Sequence, residues 1–125
     1  MGEMGTTAAA NADTGLSAPP GCEECLAAEE LELSSVLHAL SDPMRLRIVA
    51  GLAQEGDRAC KDFDLPIVKS TCAHHLRVLR EAGVIRQRVV GTTRINSLRR
   101  EELDSRFPGL IDAVLRAAAR MPALA

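Results

Sequence analysis

The segment 69–85, KSTCAHHLRVLREAGVI, limits the folds available to this chain more than any other stretch. Its apolar side chains recur at helical spacing, and Gly83 is placed to end the helix. Such a helix needs a core on one side and solvent or a polar partner on the other. The residues expected on the buried face are Cys72, His75, Leu76 and Leu79, whereas Ser70, His74, Arg77 and Glu81 turn away from it.

Two β-branched runs, VIRQRVV and RINSL, follow this helix and flank the short segment GTT. The pattern predicts an antiparallel β-hairpin with its tip at residues 91–93. Arg86, Arg88 and Arg94 alternate with other residues in these runs, so we expect all three to project from one side of the hairpin.

Apolar spacing also predicts two helices before residue 69. The first is expected over about residues 23–39. The second begins with Asp42 as the N-cap and Pro43 in the first turn, and it ends at Gly56. The segment RACKDFDLP then allows only one or two helical turns before Pro66.

A last helix is predicted in the segment FPGLIDAVLRAAARM. A chain of 125 residues leaves this helix little domain to pack against. A second copy would supply the missing apolar surface, so we expect a homodimer formed by the first and last helices. The residues expected in that interface are Leu33, Leu37, Leu110, Ile111, Val114 and Leu115.

The formal net charge of −2 conceals a segregation of charge along the chain. Residues 1–44 hold eight acidic residues and no Lys or Arg, whereas residues 45–100 hold twelve basic residues against five acidic ones. A cationic central segment favours a polyanionic partner such as nucleic acid, although hydrated helix faces produce similar charge runs. With only two aromatic residues in the chain, stacking platforms for bases are not expected.

Residues 1–21 are small, acidic and interrupted by Gly and Pro, which predicts a disordered tail rather than a secretory signal. No apolar run reaches the roughly 18 residues of a membrane span. We therefore expect a cytoplasmic protein without a membrane partner, with one domain over residues 22–120. In that compartment, cysteines are more often thiols or metal ligands than disulfides.

The predicted order of elements is two helices, a short helix, a basic helix and a basic hairpin. This order is typical of a winged helix-turn-helix, a mainly α fold with a small β-hairpin wing. The chain resembles the arsenic-repressor (ArsR/SmtB) family of bacterial transcriptional regulators. The resemblance lies in ALSDPMRLRIVAGL, in STCAHHLRVLREAGVI and in the hairpin that follows, and it covers roughly residues 33–115.

This resemblance implies a homodimer whose recognition helices enter successive major grooves of a partly palindromic double-stranded operator, with the wings along the flanking backbone or minor groove. Ala73 stands where the family usually has Ser, so one polar contact is missing. The residues that match the family's DNA-facing positions are Lys69, Ser70, Thr71, His74 and Arg77 in the helix, and Arg86, Arg88, Thr93 and Arg94 in the wing.

Neighbouring residues of a helix point about 100° apart, so His74 and His75 are not expected to bind one ion together. We assign His74 to DNA and His75 to the interior of the domain, where it needs a hydrogen bond. Cys72 occupies a position that is apolar in the family, and we assign it to packing.

Both metal sites familiar in the family are incomplete here. Cys60 is a single cysteine where the thiolate site of the family has two, and the last helix has no histidine. A soft metal could still bind Cys22, Cys25 and Cys60, taken from one or both subunits. Two cysteines three residues apart also occur without a ligand, and oxidation of the same thiols is a rival way of sensing.

The predicted function is that of a sequence-specific DNA-binding repressor, with a soft or transition metal ion as one candidate effector. An enzyme is not expected, since the sequence shows neither a supported Ser-His-Asp order nor a phosphate-binding glycine loop. One alternative is a repressor without a metal site that is controlled by thiol oxidation or by a protein co-regulator. Another is a dimeric interaction module that no longer binds DNA.

Overall fold

The structure is a computed structural model that describes residues 26–63 and 65–121. The predicted tail and both cysteines of the CEEC segment lie outside the described residues. In chain order the elements are a 3-10 turn Ala28–Glu30, α1 Leu33–Ala39, α2 Pro43–Glu55, β1 Arg58–Ala59, a second 3-10 turn Cys60–Asp62, α3 Lys69–Glu81, β2 Ile85–Val90, β3 Thr93–Leu98, α4 Arg100–Arg106 and α5 Leu110–Ala119.

The first helix is shorter than predicted. Leu31 and Glu32 have extended backbone and separate α1 from the preceding 3-10 turn. This break directs Leu31 inward, where it is completely buried. The Glu30 carboxylate accepts a hydrogen bond from the Ala27 N–H at 2.8 Å, which holds the turn in place. Helical spacing could not reveal the break because Leu31 fits the apolar pattern in either conformation.

The predicted limits of α2 are confirmed. The Asp42 carboxylate accepts hydrogen bonds from the N–H groups of Met44 and Arg45 at 2.9 and 3.2 Å, as an N-cap should. At the other end, Gly56 has a φ of 88°, a conformation that ends the helix without a steric penalty only for glycine. The fully buried stripe of α2 consists of Ile48, Val49 and Leu52.

The predicted hairpin is confirmed as β2 and β3, which pair antiparallel. Its tip is one residue shorter than predicted, consisting of Gly91 and Thr92, because Thr93 already belongs to β3. A third strand, β1, was not predicted. It pairs antiparallel with β3, which places β3 in the middle of the sheet, and the Asn96 Nδ2 donates to the Arg58 carbonyl at 3.1 Å. Two residues are too few to show alternation, so only tertiary pairing defines this strand.

Helix α4 is a second element that the sequence did not predict. The predicted last helix corresponds to α5, which begins at Leu110 rather than at the start of the segment FPGLIDAVLRAAARM. The sequence of α4, REELDSR, contains Leu103 as its single apolar residue, so no helical apolar period could be seen. Leu103 is nevertheless completely buried. Gly109 has a φ of 82° and turns the chain between α4 and α5.

One hydrophobic core receives side chains from all five α-helices and from β2. The buried face predicted for α3 is confirmed, with Leu79 completely buried. No helix within the described ranges is long and apolar enough to cross a membrane. The completely buried large apolar side chains include Leu31, Val36, Ile48, Val49, Leu79, Val84, Ile85, Leu103 and Ile111.

A polar contact lies inside this core between α2 and α3. The Arg45 Nη1 lies 3.1 Å from the His75 Nδ1, and the Arg45 Nε donates to the Ala39 carbonyl at 2.6 Å. Because a guanidinium can only donate, the Nδ1 accepts and the ring is neutral. Burial lowers the pKa of His75, with a further lowering from Arg45 and against the opposing effect of Asp42. His75 is therefore the hydrogen-bonded interior histidine that the sequence predicted.

Gly83, which follows α3, has a φ of 86°, and a Cβ at this position would lie 2.2 Å from the Cδ2 of the buried Leu31. Gly91 at the hairpin tip has a φ of 66° and open space around it. We expect Gly91→Ala to cost about 1–2 kcal/mol through backbone conformation alone. Gly83→Ala should cost about 1–3 kcal/mol more, since the completely buried Leu31 side chain would have to shift within the core.

Urea unfolding of both variants and the wild type measures this difference. Gly91→Ala is the matched control because it changes the same backbone conformation without the clash. Equal losses of unfolding free energy in the two variants would contradict the close contact between Gly83 and Leu31.

Candidate nucleic-acid interface

Helix α3 presents to solvent the polar side chains that the sequence predicted for DNA. Lys69, Ser70, His74 and Arg77 are exposed, and Thr71 is half-buried. The N-cap residue, Val68, has an apolar side chain that makes no hydrogen bond to the first-turn N–H groups of the helix. An uncapped helix N-terminus beside a lysine is suited to a phosphate group.

Arg77 makes an ion pair that is easily exchanged. Its Nε donates to the Glu81 carboxylate at 2.9 Å, and the side chains of both residues are more than 60% exposed, at 68% and 62%. Exposed pairs of this kind contribute at most about 1 kcal/mol. The guanidinium can therefore leave Glu81 for a base edge or a phosphate at little energetic cost.

The expectation that three wing arginines project from one side is wrong. Arg86 lies opposite Ser97 and Arg88 opposite Ile95, whereas Arg94 lies opposite Val89. Side chains of directly paired residues point to the same face, so Arg94 is on the face opposite to Arg86 and Arg88. The reason is the two-residue tip, which pairs even positions of β2 with odd positions of β3.

Arg86 and Arg88 face acidic side chains of the same chain. The Arg86 Nη1 lies 3.6 Å from the Glu102 carboxylate. The Arg88 Nη1 lies 3.0 Å from the Asp57 carboxylate and 3.3 Å from the Ser97 hydroxyl. Their positive charge is thus partly neutralised within the subunit. The wing is therefore less positive than the excess of basic residues in the sequence suggests.

A cluster of hydrogen bonds on the other face of the wing includes one bond to α3. The Gln87 Oε1 accepts from Arg80 of α3 at 3.2 Å and from Arg94 of β3 at 3.3 Å. The Gln87 Nε2 donates to the Asn96 Oδ1 at 2.9 Å. Two guanidiniums that share one neutral acceptor create a positive junction between the helix and the wing.

Sequence reasoning missed Arg80 and Gln87 as members of this surface. The available signal was the hairpin register, since a two-residue tip places Gln87 diagonally beside Arg94 on one face. The tip also carries Val89 and Val90, which are 65% and 54% exposed. Thr93 lies beside them, half-buried and paired with Val90.

His74 and His75 occupy different environments, as predicted. His74 is exposed on the polar face of α3, whereas His75 is buried against α2. Among the described residues, no three His, Cys, Asp or Glu side chains lie close enough to hold a metal ion.

The cysteines predicted as metal ligands are divided between described and undescribed parts of the chain. Cys60 lies half-buried in its 3-10 turn, while Cys22 and Cys25 fall outside the described residues. The Cys60 Sγ lies 3.1 Å from the Sγ of Cys72, which is only 5% exposed. Burial and then the Cys60 thiol raise the pKa of Cys72 to about 12. Cys72 packs in the core as predicted, but its sulfur also contacts Cys60.

The apolar residues predicted for a dimer interface are unevenly exposed in the single chain. Leu33 and Leu37 on α1 are 47% and 46% exposed, and they lie four residues apart on the same helix. Ile111 is completely buried within the subunit and has no surface left to offer. The other predicted interface residues of α5, Leu110, Val114 and Leu115, are half-buried.

The helix-turn-helix region of the chain is similar to known proteins. A family model described as a helix-turn-helix domain matches residues 40–88, from the end of α1 into β2. An uncharacterised HTH-type transcriptional regulator of Bacillus subtilis is 32% identical over 84 residues, which is 65% of this chain and 84% of the relative. One of Methanocaldococcus jannaschii is 38% identical over 61 residues, covering 47% of this chain and 68% of that protein.

Two solved structures share the fold. An ArsR-like transcriptional regulator from Rhodococcus sp. RHA1 has a TM-score of 0.55 and 27% identity, over 70% of this chain and 84% of that one. A structure described as a possible transcriptional regulator for arsenical resistance has a TM-score of 0.52 and 25% identity, over 74% of this chain and 100% of that one. With the recognition helix, the wing and these relatives in agreement, the chain belongs to the ArsR family of winged helix-turn-helix transcriptional regulators.

Proposed function

We propose that this transcriptional regulator is a homodimeric repressor that binds a specific double-stranded DNA operator through α3 and the wing of each subunit. The observation that carries the proposal is the exposed polar face of α3, which continues through Arg80 and Gln87 to Arg94 on the wing. The proposal includes a cytoplasmic location, where DNA is accessible. It does not include a catalytic role.

The side chains of α3 divide into positioning and reading groups. Lys69 and the uncapped helix N-terminus are suited to phosphate, with Ser70 and Thr71 as short hydroxyl donors close to the backbone. Arg77 is suited to read a guanine because its guanidinium can donate two hydrogen bonds to O6 and N7. His74, one turn earlier on the same exposed face, reaches a neighbouring base or phosphate.

The wing contributes mainly through Arg94 and Thr93 in this proposal. Arg94 lies on the face joined to α3, and its hydrogen bond to the neutral Gln87 leaves its charge uncompensated at that contact. Arg86 and Arg88 are assigned a smaller share because Glu102 and Asp57 already face them.

The dimer is proposed to form through α1 and α5. Leu33 and Leu37 lie one turn apart on α1, so they form one exposed apolar patch. A second copy of this chain would cover the patch with its own α1 and with Leu110, Val114 and Leu115 of α5. Two recognition helices would then be held at a fixed spacing, as a partly palindromic operator requires.

A metal effector is a second candidate, favoured by the solved structure whose description refers to arsenical resistance. The described residues do not fit a metal by themselves, since they supply only the paired thiols of Cys60 and Cys72. A three-thiolate site would therefore need Cys22 or Cys25 in addition to Cys60. The alternative candidates are control by thiol oxidation and control by a protein co-regulator.

Replacement of Arg77 or Arg94 tests DNA recognition. After selection of the preferred duplex from a randomised pool, we expect Arg77→Ala to lose about 1–3 kcal/mol of binding free energy and to relax the preference at one base pair. Arg94→Ala should weaken binding to all sequences and reduce the salt dependence, as loss of a phosphate contact does. Fluorescence anisotropy at several salt concentrations measures both effects.

Arg116→Ala, an exposed arginine of α5, is the matched control and should bind like the wild type. Selection of no preferred duplex would favour an interaction module that does not bind DNA. Equal affinity in all three variants would contradict the assignment of Arg77 and Arg94 to the interface.

Introduction of a charge on α1 tests the dimer. Leu37→Glu should release monomers because it places a carboxylate in the apolar patch, while the exposed position limits the effect on folding. His38→Glu adds the same group to the same helix on a different exposed side. Sedimentation should give a dimer for His38→Glu and a monomer for Leu37→Glu. A Leu37→Glu dimer that binds the operator normally would place the interface elsewhere.

Cysteine variants test the metal candidate. We expect a response of operator binding to arsenite or zinc to disappear in Cys60→Ser and in the Cys22→Ser/Cys25→Ser protein, and to persist in Cys72→Ala. Anisotropy titrations under reducing conditions measure it. A wild type indifferent to both would remove the metal and leave abundance, thiol oxidation or a co-regulator in control.

A further inference from the structure

The contact between Cys60 and Cys72 joins the recognition helix to the segment that supports it. Both residues are free thiols, and their sulfurs are 3.1 Å apart, with one thiol directed at the other. Cys60 lies in a 3-10 turn, and Cys72 is the fourth residue of α3. The sulfurs are thus already in contact, and no other group stands between them.

The geometry permits a covalent bond after a small movement. A disulfide holds its sulfurs at about 2.05 Å, so the two side chains need to approach by roughly 1 Å. The chain between them favours such an adjustment, because residues 65–68 form neither helix nor strand. Short 3-10 turns also have weaker hydrogen-bond geometry than α-helices.

We propose that Cys60 and Cys72 form an intrachain disulfide in response to a hydroperoxide, and that this bond weakens operator binding. The part concerning the operator rests on the function proposed above. The pair differs from the cysteines considered for metal binding, since it includes Cys72 and requires neither Cys22 nor Cys25.

The reaction consumes one hydroperoxide and two thiols. Cys60, the more accessible of the two, loses its proton and attacks the peroxide oxygen, so that an S–O bond forms, the O–O bond breaks and water or an alcohol leaves. The Cys72 sulfur then attacks the sulfenic acid of Cys60. The S–S bond forms, the S–O bond breaks and water leaves with the Cys72 proton. The two thiols lose two electrons in total, and the peroxide gains them.

The bond would act on DNA binding through the first turn of α3. It closes a loop over residues 60–72, and this loop contains Lys69, Ser70 and Thr71. Cys72 belongs to the buried face that sets the orientation of the helix. A shift of its side chain towards Cys60 therefore displaces the exposed residues of the same turn relative to Arg94 on the wing.

The test uses the full chain, both natural and with Cys22→Ser/Cys25→Ser, so that only Cys60 and Cys72 can pair in the latter. Each protein is treated with hydrogen peroxide in the presence of a metal chelator. We expect the intact mass to fall by two hydrogen atoms, peptide mapping to join residues 60 and 72, and dithiothreitol to reverse the change. Affinity for the selected duplex should fall about 5- to 150-fold on oxidation, the usual range of coupling between sites.

Cys60→Ser, which cannot form the bond, should bind the duplex equally before and after peroxide. Oxidation to sulfinic acid without a mapped 60–72 bond, or a disulfide between two chains, overturns the inference while leaving the reduced repressor intact. An intrachain bond with unchanged affinity overturns its regulatory part. If the reduced protein binds no duplex, both the proposed function and its proposed regulation are overturned. The mass measurement still shows in that case whether the 60–72 disulfide forms.

Discussion

The burial of one face of α3 is the constraint on which the rest of the structure depends. Leu76 and Leu79 are almost or completely removed from solvent, and each contributes about 1.5–3 kcal/mol of hydrophobic free energy. Because helical side chains repeat every 3.6 residues, burial of this face leaves Lys69, Ser70 and Arg77 on the outside. Packing energy therefore orients the residues that are proposed to meet DNA.

The polar contact in the core makes this orientation specific. Arg45 is 8% exposed, and its guanidinium is satisfied by the Ala39 carbonyl and the neutral ring of His75. A rotation of α3 would remove the His75 acceptor and leave part of a buried guanidinium unpaired, at an energetic cost. Apolar side chains can slide against one another more easily than such a contact can be exchanged.

The electrostatics of the wing follow from its register rather than from its composition. The two-residue tip places Arg94 beside Gln87 and leaves Arg86 and Arg88 facing Glu102 and Asp57. The positive charge available to a polyanion is therefore concentrated at the junction of α3 and the wing. Cys60 and Cys72 meet on the buried side of the same helix, opposite the exposed polar face that is proposed to bind DNA.

The sequence by itself determined α2, the two faces of α3 and the existence of the hairpin. Capping by Asp42, a long apolar period and β-branched runs around Gly91 are local signals that need no knowledge of distant residues. The same segments carried the resemblance to the family.

Only the tertiary structure decided the break at Leu31, the strand β1, the helix α4, the face of Arg94 and the contact of Cys60 with Cys72. Each of these depends on residues far apart in the chain or on a register shift of one residue, which reverses the face of a side chain. For the candidate site, the sequence therefore proposed most of the residues, and the fold determined which of them lie together.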